Sequence, residues 1–250
     1  MRKLFLCSLL LLWGVLSAQA QINESTRDAM NGVGTRSFKA TSSMAMIGIP
    51  TKEGEVLGNQ YLDSSWSVGN IKLYKKIGPL GKQSDSIVDM PIRLDLYTNE
   101  LEIRVTQNDI RGLSGDQVAH FSLQNKVIEQ PPLLYTNASA FSPQDANLKG
   151  FFKVLVIGKL NLLEYTKLTI SKPTYNEALG TGSKEVKITK GKTFYYALNN
   201  KAVKMTSSKK KMMELMADKS IEMEQFLKNQ NLDLKNEADL SKLFSFYNSL

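Results

Sequence analysis

Cysteine and histidine are almost missing from this sequence: one of each, Cys7 and His120, in 250 residues. A zinc centre built from several histidines is excluded within one chain, and cysteine ligands cannot replace them. Cys7 also lies inside the apolar stretch 4–16, which follows the basic pair Arg2 and Lys3 and precedes Ser17-Ala18-Gln19-Ala20. That order of basic, apolar and small residues is the pattern of a secretory signal peptide. Cleavage is expected between Ala20 and Gln21, and Cys7, upstream of the small-residue site, leaves with the signal. The apolar stretch is too short to span a bilayer comfortably, since a spanning helix needs about 20 residues.

Removing 20 of 250 residues leaves 230 without a thiol, so neither a disulfide nor a cysteine nucleophile is expected in the exported chain. A chain of this size can rely on its core, burying roughly 70% of its unfolded surface. Lys+Arg falls from 32 to 30 against 24 Asp+Glu, a net charge of +6. No later segment has the long apolar run of a membrane helix, so no integral span is expected. No Lys/Arg stripe interleaves with aromatics, which argues against nucleic acid.

What is present is alternation. Ile71 and Leu73 flank Lys72. Ile92, Leu94 and Leu96 alternate with Arg93 and Asp95, and Leu101, Ile103 and Val105 with Glu102 and Arg104. This period of two places apolar groups on one face of a strand and charges on the other. Residues 91–106 read as a hairpin turning near Asn99. Further strands are expected at Ala119-Phe121-Leu123, at 151–157 (buried on both faces), at 160–170, and around Val186, Phe194 and Val203. Asn199-Asn200 suits a tight turn. Gly112-Leu113-Ser114-Gly115-Asp116 reads as a turn.

After Ser207 the period becomes helical. Met212, Met213, Leu215 and Met216 read as core packing, Asp218 as a cap, and Ile221, Phe226 and Leu227 as an inward face. Asn236 starts a helix whose Leu240, Leu243, Phe244 and Tyr247 face inward. The expected fold is therefore mainly β (α+β): an antiparallel sheet or open barrel of about 8–10 strands, then a short C-terminal helical subdomain. The divisions are 1–20 signal peptide, 21–57 flexible lead-in, 58–206 β domain and 207–250 helical subdomain.

Catalytic patterns are weak. Ser114 lacks the setting of a nucleophile elbow, and His120, beside Asp109 and Asp116 in sequence, fits a solvent-facing strand position. Asp95, Glu100 and Glu102 alternate with apolar neighbours as a solvated outer face does, not as a paired-carboxylate cleft. Asn31-Gly32-Val33-Gly34 lacks the closing Lys-Ser/Thr of a phosphate loop. No enzyme, cofactor or metal is expected.

Four stretches stand out: Gly58-Asn59-Gln60-Tyr61-Leu62-Asp63 with Trp66 and Gly69; Ile92-Arg93-Leu94-Asp95-Leu96-Tyr97 with Asn99-Glu100-Leu101-Glu102; Phe152-Lys153-Val154-Leu155 before Gly158-Lys159; and Leu243-Phe244-Ser245-Phe246-Tyr247-Asn248. Together they resemble a family of uncharacterised secreted proteins of Bacteroidota. The resemblance covers roughly 58–250. It implies a β-rich periplasmic or secreted protein and carries no activity. Asp85-Ser86-Ile87 resembles the O-glycosylation triplet of exported proteins in these bacteria, with Ser86 the candidate site in an expected loop.

Two functions follow as expectations. The first is a non-catalytic envelope binding or assembly protein with a protein partner. The alternative is a lipid- or lipoprotein-carrier-like protein, with acyl chains in an apolar half-barrel and the Met212–Met216 stretch as a lid.

Overall fold

Alternating burial along the longer strands shapes the sheet. The computed structural model describes residues 22–34, 56–127, 130–141, 148–176, 178–230 and 232–250; the cleavage pair Ala20 and Gln21 lies outside them. The strands are β1 (Val56–Leu57), β2 (Ser67–Ile77), β3 (Ser84–Asp95), β4 (Glu100–Arg104), β5 (Ile110–Ser114), β6 (Val118–Leu123), β7 (Leu133–Asn137), β8 (Phe151–Val156), β9 (Asn161–Ser171), β10 (Val186–Leu198) and β11 (Lys201–Lys204). The helices are α1 (Glu24–Asn31), α2 (Lys209–Leu215), α3 (Ser220–Asn229) and α4 (Glu237–Ser249).

The strands form one open sheet ordered β1-β10-β9-β8-β7-β6-β2-β3-β4-β5, with β11 also on β10. The mainly β fold with a helical C-terminus is as expected. The pairing is antiparallel except for β1, which runs parallel to β10. The β3–β4 hairpin and the Asn199-Asn200 turn, both asparagines at positive φ, also stand where the sequence places them.

The sheet must curl. Val56 and Leu57 pair with β10, yet four residues later Tyr61 bridges Asp95 on the β2 side of β3. Six strand spacings separate those two lines, about 29 Å if the sheet were flat. Four residues reach at most about 14 Å. The β10 edge is therefore drawn toward β2 and β3, making a trough.

One core fills the inside of the β2–β7 part, where Ile71, Ile92, Leu101, Ile103 and Phe121 are fully buried. A second lies between β8–β10 and the C-terminal helices, around Leu160, Leu162, Met216, Met223 and Phe244. A third, on the opposite sheet face, joins Phe152, Leu163 and Tyr195. Met212 and Met216 are buried, as core packing requires.

Several expectations need correction. The lead-in contains α1, capped by Asn23, with Ala29, Met30 and Val33 in the first core and Thr26 bonded to Val88. Its apolar residues are few, so periodicity was faint, but the cap and the apolar face suffice. Ile110–Ser114 is a strand, and the turn is only the 3-10 segment Gly115–Gln117. β7 forms in a stretch without clear alternation. Ile221 faces solvent, and Met223 takes the inward place. Asp218 caps no helix; it accepts from the Tyr247 hydroxyl at 2.9 Å and pairs with Lys159 at 2.6 Å.

Candidate functional site

The trough holds a polar cluster between the first two cores. Lys153 on β8 stands directly opposite Glu164 on β9. Lys192 on β10 lies diagonal to Glu164, because Phe194 is the direct partner and side chains two apart share a face. Asn236 caps α4 by accepting from the Ala238 and Asp239 amides, and this cap projects Glu237, the first helical residue, over the sheet. Lys153 binds Glu237 at 2.7 Å. Lys192 binds Glu164 at 2.9 Å and Glu237 at 3.4 Å. The helical subdomain is thus tied to the sheet through two lysines and two carboxylates.

Glu164 is only 3% exposed, and burial lifts its carboxyl above the ordinary value, with Lys192 offsetting part of the effect. Burial acts on Glu237 in the same direction, but the contacts with Lys153, Glu164 and Lys192 together outweigh it and hold that carboxyl low. Tyr135, opposite Lys153, stacks on Phe121 at 4.7 Å; burial, then the charge of Glu164, raises its phenol. The cluster therefore stands directly on the packed core.

A cleft of about 440 Å³ opens on this cluster. Leu62, Leu123, Leu133 and Tyr135 give it an apolar side, and Lys153, Lys190 and Lys192 a cationic one. Asp63 and Lys126 close one end in an ion pair of 2.5 Å. Lys190 is different. Among the described residues it makes no ion pair, and its ammonium donates to Asn59 Oδ1 at 3.2 Å. Burial holds that ammonium below its ordinary value, with Asp63 acting weakly the other way. The side chain is exposed at the cleft, and a cation bonded to no carboxylate there is open to an anion brought to it.

On the outer face a second cluster surrounds Arg93. Its Nε donates to Glu102 at 2.7 Å and its Nη2 to the Tyr61 hydroxyl at 2.9 Å. The guanidinium lies 3.8 Å from the Tyr61 ring centre and 4.4 Å from that of Trp66, while Arg104 covers Trp66 at 4.9 Å. The segment around Tyr61 covers this face, so Asp95 and Glu102 are fully buried rather than solvated. Asp95 accepts from the Tyr97 and Thr98 amides and shapes the hairpin turn.

The remaining candidates fall apart in space. His120 is exposed on β6 between Lys72 and Thr136, and no hydrogen bond among the described residues joins it to Ser114, Asp109 or Asp116. Ser86 lies within β3 rather than in a loop. It is half-buried, bonded to Asp85 at 3.1 Å and approached by Lys72 at 3.5 Å. The sequence reading missed Lys153, Glu164, Lys190, Lys192 and Glu237. The only available signal was Glu164 between Leu163 and Tyr165 in an expected strand.

Among the described residues no three His, Cys, Asp or Glu side chains cluster as a metal site, and no helix is long and apolar enough to cross a membrane. Compared with protein families, curated proteins and solved structures, the chain matches none.

Proposed function

We propose that the chain is a non-catalytic binding or assembly protein of the cell envelope, and that the lysine-walled cleft receives an anionic group of its partner. The observation that carries this reading is the cationic wall of the cleft, where the exposed Lys190 is bonded to Asn59 Oδ1 and makes no ion pair among the described residues. The leader-like N-terminus and the resemblance to secreted proteins support an envelope location, periplasmic or secreted. Glu164 and Glu237 serve as anchors for the lysines around them, not as an acid–base pair.

The carrier-like alternative has narrower support. The inward apolar side chains of β2–β7 pack on each other as a filled core. An acyl chain would have to use the cleft, where Leu62, Leu123 and Leu133 offer an apolar wall.

The test is a pull-down from native envelopes with the wild-type chain and Lys190→Glu, followed by protein and lipid mass spectrometry. A protein recovered by the wild type and lost by the variant supports the reading. Equal recovery by both contradicts it, and a lipid retained only by the wild type favours the carrier alternative.

A further inference from the structure

We infer that the outer edge of β11, with the groove between it and α2, takes an extended acidic peptide by strand addition. This surface uses none of the residues of the Lys190 cleft and does not depend on that reading.

Among the described residues β11 is paired only with β10, so its other edge presents unpaired backbone groups. Tyr196 and Val203 stand opposite each other, and the face they share carries the groove that α2 borders. Met205, Met212 and Leu215 complete its apolar lining, and its volume is about 280 Å³. A second hollow of about 570 Å³ beside the Asn199-Asn200 turn shares Tyr196, Val203 and Leu215 with it. Strand edge and apolar groove therefore lie side by side, the arrangement in which main-chain hydrogen bonds give affinity and alternate side chains find pockets.

Charge selects the occupant. Lys204 on β11 and Lys211 on α2 line the groove, Lys201 lines the hollow beside it, and none of the three makes an ion pair among the described residues. Glu214 is the only acid on α2. Lysines on an edge strand oppose pairing with a second copy, which would bring like charges together. The same lysines attract a strand whose acidic residues alternate with apolar ones.

The experiment titrates the full chain into a labelled, capped peptide of alternating glutamate and valine, read by fluorescence anisotropy. Three controls run beside it: the lysine–valine counterpart, the acidic peptide N-methylated at alternate amides, and the variant Lys201→Glu/Lys204→Glu. Binding of the acidic peptide is expected, weakened about tenfold or more by N-methylation and by the double substitution, with none for the lysine peptide. The N-methylated probe leaves the protein untouched, so its result does not depend on how the variant folds. Absent binding, equal binding of the N-methylated or lysine peptide, or capture of phosphatidylglycerol vesicles but not of the peptide would overturn the inference.

Discussion

The side-chain amide of Asn248 closes a ring with the backbone of Leu160: its Oδ1 accepts from the Leu160 N–H at 3.0 Å and its Nδ2 donates to the Leu160 carbonyl at 2.9 Å. The last turn of α4 is thereby fixed to the entry of β9, 88 residues away in sequence. Gly158 makes room for it, since a Cβ there would meet the Asn248 amide at 2.3–2.6 Å.

Asn248→Ala removes both bonds and is expected to cost about 2 kcal/mol in urea unfolding. Gly158→Ala is expected to destabilise the wild type and to cost much less in the Asn248→Ala background. Equal costs in both backgrounds would show that the two positions do not couple.

Arg93→Met withdraws a guanidinium from the fully buried Glu102, and from Tyr61 and Trp66 with it. The loss is expected to be about 3 kcal/mol, the scale of a broken buried pair. Adding Glu102→Gln is expected to restore part of it, which denaturation of the double variant measures.

Asp63 carries an acid-side signature. Its bonds to Lys126 and then Ser65 lower its carboxyl from 3.8 to about 2. A lowered folded value means that the contribution is complete above the ordinary value of 3.8 and fades as pH falls through about 2. The stability difference between wild type and Asp63→Asn is therefore expected to shrink over that window. It is also expected to be small at any pH, because the Lys126 and Asp63 side chains are 63% and 45% exposed and water screens the pair.

Tyr61 gives the alkaline counterpart. Burial first, then the charge of Glu102, pushes its phenol up to about 12. A raised folded value contributes stability below the ordinary value of 10.0, lost as pH rises through about 12. In a phenolate absorbance titration, Tyr61→Phe is expected to remove one late-titrating group and leave the early ones unchanged.

Much of the sheet was legible because half-buried strands write their burial as alternation. Ile92, Leu94, Leu101 and Ile103 are buried as that pattern requires. The same rule failed at Asp95 and Glu102, because local alternation does not reveal that a distant segment, carrying Tyr61 and Trp66, lies over the charged face. The Asn236 cap was readable from its acidic first turn, but the target of Glu237 was not. Its partners Lys153 and Lys192 sit on strands 84 and 45 residues away. Segments far apart in sequence meet in the same way. Tyr61 meets Arg93 and Glu102, and Asn248 meets Gly158.

The cleft's role in binding is tested most directly by placing a photo-cross-linking amino acid in cells at position 124, an exposed position of the cleft lining, with position 120, exposed on the opposite face, as control. The account predicts a discrete adduct with an envelope component from position 124 alone, weakened when Lys190 is also changed to Glu. No adduct from 124, an adduct unchanged by Lys190→Glu, or the same adduct from 120 would contradict it.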